Sequence, residues 1–181
     1  MEKFSDVNKK LLNQYIWPYS KKQYLKAKLY KADNYYVYKF LYYTRKFEWL
    51  EKKGSSYIYK FRRLLCLRKA NKYANICGYV ISPDVLGPDV VLYHKGSIII
   101  NPDTKMGSGC KFHGDCCIGV ARTGEEGCPV LGNNVDVGIG AKVLGNIYIA
   151  DDIVIGANAV VTKSFYEPGI TIAGIPARKI K

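Results

Sequence analysis

A six-residue apolar period dominates the second half of the chain. Stepping by six from Leu131 reaches Val137, Val143, Ile149, Ile155 and Val161, and every stop is aliphatic. Four residues after each stop stand Val135, Ala141, Ile147, Ile153, Ala159 and Phe165, again all apolar. Glycine follows the first position at Gly132, Gly138 and Gly156. This period fits neither a helix, with 3.6 residues per turn, nor an alternating strand. It predicts short strands joined by tight turns and stacked around a prism. The same step runs through Ile100, Met106, Phe112 and Ile118. Between Ile118 and Leu131 the register slips by one residue, within GVARTGEEGCP. That stretch is Gly-rich and charged, so a loop extruded at about 119–130 is expected, and such loops commonly sit on a binding face.

Charge divides the chain at the same place as the repeat. The net charge is +13. Residues 1–80 hold 19 Lys/Arg against 5 Asp/Glu, and residues 81–181 hold 9 against 10. Thirteen of the 16 tyrosines precede residue 81. Two regions are therefore expected: a basic, Tyr-rich helical region over 1–80 and a β-helical domain over 81–181. Three or four helices are expected in the first, with Ser5 or Asp6 as an N-cap, a break at Pro18, and another at Gly54-Ser55-Ser56. A strongly basic surface attracts polyanions or an anionic membrane leaflet, and interleaved tyrosines suit stacking on sugar rings. Alternatively, the tyrosines are core and the lysines solvate outer faces. No nucleic-acid-binding motif is present, and none is expected as a partner. The N-terminal MEKFSDVNKKLLNQ lacks the apolar run of a signal peptide, so a cytoplasmic location and reduced cysteines are expected. With no CxxC pair and only two histidines among the residues, no metal site is expected.

The segment NVDVGIGAKVLGNIYIADDIVIGANAVVTKSF, followed by AGIPARKI, resembles the hexapeptide-repeat acyltransferase superfamily. The resemblance covers roughly residues 80–181. It is strongest to the serine acetyltransferase-like branch and its relatives that O-acetylate capsular and surface polysaccharides. It implies a left-handed parallel β-helix with three strands per coil, assembled as a homotrimer, with acetyl-CoA as co-substrate. It also implies that the pantetheine arm lies along the stacked coils, touching Ile139, Ala141, Ala157 and Thr162. Lys163 and Arg178 are suited to the CoA phosphates, because cationic donors match phosphate oxygens.

His94, in LYHKGSIIIN, resembles the catalytic histidine of that branch. Acyl transfer to a hydroxyl needs a base to take its proton, and imidazole titrates near neutral pH. His113 lies 19 residues later, close to one 18-residue coil, which puts the two histidines near each other with a one-position offset. His94 is expected as general base, with His113 assisting. Asp84, Asp89 and Asp115 are candidates to orient His94, or else solvated turn residues. The chain departs from serine acetyltransferases at two places. Tyr93 stands where they carry Asp before the histidine. Gly127-Cys128-Pro129 stands where they carry Arg-His-Pro in the extruded loop. Cys128 is a candidate nucleophile there, and Arg122 the loop cation nearest to hand. These departures favour a sugar hydroxyl as acceptor, on a nucleotide-sugar or lipid-linked glycan in capsule or surface-polysaccharide synthesis, with peripheral membrane association. The alternatives are a serine or other small-molecule O-acetyltransferase, and a non-catalytic trimeric binding or scaffold protein.

Overall fold

The computed structural model describes residues 3–16, 20–124 and 126–181. The break expected at Pro18 lies outside them. The chain forms two compact units, Met1–Gly78 and Tyr79–Lys181.

The first unit contains α1 (Phe4–Tyr15), α2 (Lys21–Leu29), α3 (Asp33–Glu51) and α4 (Tyr57–Cys77). The expected cap at Ser5 or Asp6 is not formed. The helix starts at least two residues earlier, Lys3 occupies the N-cap without a side-chain bond, and Asp6 falls in the first turn. An acidic side chain still favours that end through the helix dipole. Ser20 caps α2 instead, its Oγ accepting from Gln23 N at 3.1 Å. Gly54, Ser55 and Ser56 separate α3 from α4, and Gly78, with φ +80°, ends α4 in the left-handed conformation that costs glycine least. On α4, Cys66, Ala70, Ala74 and Cys77 recur every three or four residues, and this small-residue stripe is buried. It lets α3 pack closely, with Val37, Leu41 and Thr44 buried on the facing helix.

The tyrosines of α3 and Tyr24 pack together, whereas Tyr30 and Tyr57 are exposed. Tyr35 and Tyr38 are buried, and Tyr24, Tyr35, Tyr38, Tyr42 and Tyr43 surround the Lys39 ammonium at 5.6–5.8 Å from their ring centroids. They are spent on one another and on Lys39, not arrayed for a sugar to stack on. Burial pushes the Tyr35 phenol far above its usual range.

The second unit is a parallel β-helix. Its strands are β1 (Tyr79–Ile81), β2 (Val91–Leu92), β3 (Ile98–Ile100), β4 (Lys105–Met106), β5 (Lys111–Phe112), β6 (Cys116–Gly119) and β7 (Val130–Leu131). They continue as β8 (Asp136–Val137), β9 (Lys142–Leu144), β10 (Tyr148–Ile149), β11 (Val154–Ile155), β12 (Val160–Val161), β13 (Thr171–Gly174) and β14 (Ala177–Lys179). Three sheets form the faces of the prism, in the orders β1-β3-β6-β9-β12, β10-β7-β4 and β14-β13-β11-β8-β5-β2. All pairs are parallel except the closing hairpin β13–β14, whose Ile175–Pro176 bond is cis.

The six-residue register is the inward-facing register. Leu131, Val137, Val143, Ile149, Ile155 and Val161 are all at most 2 % exposed. Burying each side chain contributes roughly 1.5–3 kcal/mol before conformational entropy is charged against it. Regular coils advance 18 residues, as from Leu131 to Ile149 and from Val137 to Ile155. From Met106 to Leu131 the advance is 25 residues, so the expected loop carries seven more than a coil. At the other end, Val91 pairs with Lys111, a coil of 20.

Candidate active site

The longer coil decides which residues share a level. Leu92 pairs with Phe112 and Phe112 with Val137, and both partners are fully buried. The next residue on each strand turns outward at the edge of the sheet. Tyr93 N donates to Phe112 O, His113 N to Val137 O, Gly138 N to Ile155 O and Gly156 N to Ile172 O. Tyr93, His113, Gly138, Gly156 and Ala173 therefore form one column, and Arg178 extends it as the partner of Ala173. The strand spacing makes His113 to Arg178 a span of about 19 Å. His94 belongs to the neighbouring column at the corner, level with Gly114, Ile139 and Ala157. The one-position offset between the histidines is real, and Tyr93 is the residue that stands over His113.

Three contacts define this corner. The Tyr93 ring stacks on His113 at 4.4 Å between centroids, and lies 6.5 Å from His94. His113 Nε2 and Asp136 Oδ1 are 2.8 Å apart. The Tyr79 hydroxyl donates to the His94 carbonyl at 2.7 Å, fixing the backbone below the imidazole. The His94 side chain is exposed, and its ring has no hydrogen-bond partner among the described residues.

Asp136 was invisible to reasoning from spacing. It lies 23 residues beyond His113, and only the loop's extra residues bring it beside Lys111. Asp84, Asp89 and Asp115 instead adopt left-handed backbone at turns, with φ of 71°, 53° and 52°. Asp115 Oδ1 accepts from Ser97 N at 3.1 Å. None of the three is paired with His94, and turn geometry accounts for each.

The expected donor residues divide. Ile139 and Ala157 are exposed at successive levels of the His94 corner. Gly138 keeps the coils close there, since a Cβ would meet Ile155 O at 2.6 Å. Ala141 is fully buried, and its N–H and C=O are engaged with Gly138 O and Cys117 N. Thr162 and Lys163 are exposed just after β12, away from the column, with the Lys163 ammonium 5.4 Å from the Phe165 ring centroid. Arg178 is exposed at the column's end. Cys128 is 7 % exposed, and burial, with Asp103 adding, pushes its thiol above the usual value. A protonated, buried thiol is a poor nucleophile. All six cysteines are free thiols.

No protein-family model matches the chain. It is 34 % identical over 134 residues to the serine acetyltransferase of Mycobacterium tuberculosis, covering 73 % of this chain and 55 % of that protein. It is 37 % identical over 107 residues to the serine acetyltransferase of Helicobacter pylori, covering 58 % and 62 % respectively. Among solved structures, soybean serine acetyltransferase complexed with serine superposes with a TM-score of 0.62 at 25 % identity, over 81 % of this chain and 58 % of that one. The chain thus spans roughly half to three-fifths of the length of these relatives.

These matches overturn the expected saccharide acceptor. That expectation rested on a few altered side chains and on a tyrosine platform, and the tyrosines around Lys39 are packed against one another instead. Peripheral membrane association, expected from the same basic helices, gains no support from these relatives. Among the described residues, no helix is long and apolar enough to cross a membrane. In repeat, coil architecture and sequence the chain is similar to the serine acetyltransferases, and that similarity supports its place in the hexapeptide-repeat acyltransferase superfamily.

Proposed function

We propose that the protein is an acetyl-CoA-dependent serine O-acetyltransferase, built on a left-handed β-helix and working as a homotrimer. The observation that carries the reading is the position of His94. Its imidazole is exposed at a β-helix corner, unpaired among the described residues, and level with Ile139 and Ala157. His94 takes the proton of the serine hydroxyl as its oxygen attacks the thioester carbonyl. The C–S bond then breaks and the CoA thiolate takes up a proton. Direct transfer of this kind needs no covalent enzyme intermediate, and Cys128 is unsuited to forming one. The thin pantetheine arm follows the corner past Ile139 and Ala157. Its phosphate end reaches Arg178, about 19 Å along the coils from His113.

A bare scaffold has no use for an exposed imidazole whose backbone is pinned by a buried tyrosine hydroxyl. The test is thiol release from acetyl-CoA in the presence of serine. His94→Ala is expected to lower turnover by a factor on the order of 10² to 10⁴, the usual contribution of general-base catalysis, with its circular dichroism unchanged. Near-normal turnover by that variant would remove His94 from the mechanism.

A further inference from the structure

We infer that Lys111 and Asp136 form a zwitterion-binding pair for the amino acid acceptor, with His113 as the positioning residue that holds Asp136. This deepens the acetyltransferase reading and rests on it. The problem it answers is chemical. Free serine carries an ammonium and a carboxylate, and a site selective for it must meet both charges. Tyr93 and Gly127-Cys128-Pro129 offer no charged side chain to either group.

The outer face of the β2-β5-β8-β11 sheet supplies replacements. One row across it reads Val91, Lys111, Asp136, Val154, since these residues are register partners. Their neighbours Leu92, Phe112, Val137 and Ile155 point inward, so the row points outward. Lys111 and Asp136 sit directly opposite each other, yet they make no ion pair within 4.0 Å. Lys111 has no side-chain partner among the described residues. Asp136 uses Oδ1 on His113 and leaves Oδ2 unengaged among them. A cation and half of a carboxylate are therefore held side by side, flanked by valines.

His113 fixes the carboxylate. A carboxylate only accepts, so the His113 Nε2 carries the hydrogen and donates to Oδ1. Tyr93, stacked at 4.4 Å, stops the ring from turning away. Asp136 Oδ2 then takes the serine ammonium and Lys111 takes the carboxylate. Along the strand direction the pair lies about 10 Å from the level of His94 at the backbone. The stacked Tyr93 and His113 rings stand in the row between, so a serine held by the pair lies over them with its hydroxyl toward His94.

The experiment pairs substitutions with acceptors lacking one charge. Lys111→Gln is expected to raise KM for serine roughly 10- to 100-fold, the loss expected of one charge-assisted hydrogen bond, with KM for acetyl-CoA unchanged. It should leave transfer to ethanolamine, which has no carboxylate, as in the wild type, and Lys111→Arg should restore most of the serine affinity. Asp136→Asn should penalise serine similarly but spare 3-hydroxypropionate, which has no ammonium. Wild-type KM for serine in both variants, or equal penalties on the charge-deficient acceptors, would overturn the assignment. The two histidines allow an independent reading. With ¹⁵N-histidine label, serine should shift the His113 resonances of the wild type but not of Lys111→Gln. If the wild type transfers acetyl to none of the acceptors, the acetyltransferase reading fails. The resonance shift then decides the binding pair by itself, and its absence on adding serine overturns the pair.

Discussion

Tyr93 is where a one-residue shift matters most. A strict 18-residue coil would set His94 and His113 almost level, and the two histidines were visible as a pair on that spacing alone. The 20-residue coil between Val91 and Lys111 puts Tyr93 over His113 instead. Asp136, which holds His113, could be found from sequence only by adding the loop's extra length to the coil before stepping on from Lys111. Residue spacing therefore exposed the imidazoles and concealed the carboxylate beside His113. Ala141, expected at the donor from its place in the motif, is buried with its N–H on Gly138 O and its C=O accepting from Cys117 N. Cys128 provides a residue-scale prediction. Its thiol is buried and shifted toward the protonated form, so Cys128→Ser should leave kcat within about a factor of two. Loss of a true nucleophile costs many powers of ten, and a loss of that size on steady-state assay would restore Cys128 to the chemistry.

At the scale of elements, the inward register was the most legible part of the chain. Six-residue spacing of Leu131, Val137, Val143, Ile149, Ile155 and Val161 maps directly onto buried positions, because each coil presents the same edge to the core. The polar turns were not legible, since Asn and Asp at corners read simply as loop residues. They stack as a ladder. Asp151 Oδ1 accepts from Asn133 N at 2.8 Å and Oδ2 from Asn133 Nδ2 at 3.1 Å, while Asn134 Nδ2 donates to Asp152 Oδ1 at 3.0 Å. The Asn133 backbone and side chain hold the Asp151 carboxyl below its ordinary value. A carboxyl with a lower pKa in the folded state stabilises the fold above its unfolded value. That contribution disappears as pH falls through the folded value. Asp151→Ala should therefore lower Tm at neutral pH, and the gap to wild type should narrow in strong acid. A gap independent of pH would assign the loss to packing alone.

For the whole molecule, the contrast between halves was legible as charge and tyrosine content, but its meaning was not. Composition does not distinguish tyrosines on a surface from tyrosines caging Lys39, because that depends on how α1, α2, α3 and α4 pack. The acceptor inherited that error. Similarity to serine acetyltransferases across the β-helix outweighs a handful of altered side chains, and the outer face of the sheet offers Lys111 and Asp136 in their place. The most direct measurement presents acetyl-CoA with serine, nucleotide-sugars and oligosaccharides in parallel, following free thiol and identifying products by mass. The account predicts thiol release stimulated by serine, with O-acetylserine as product. Transfer to a saccharide with none to serine would contradict it.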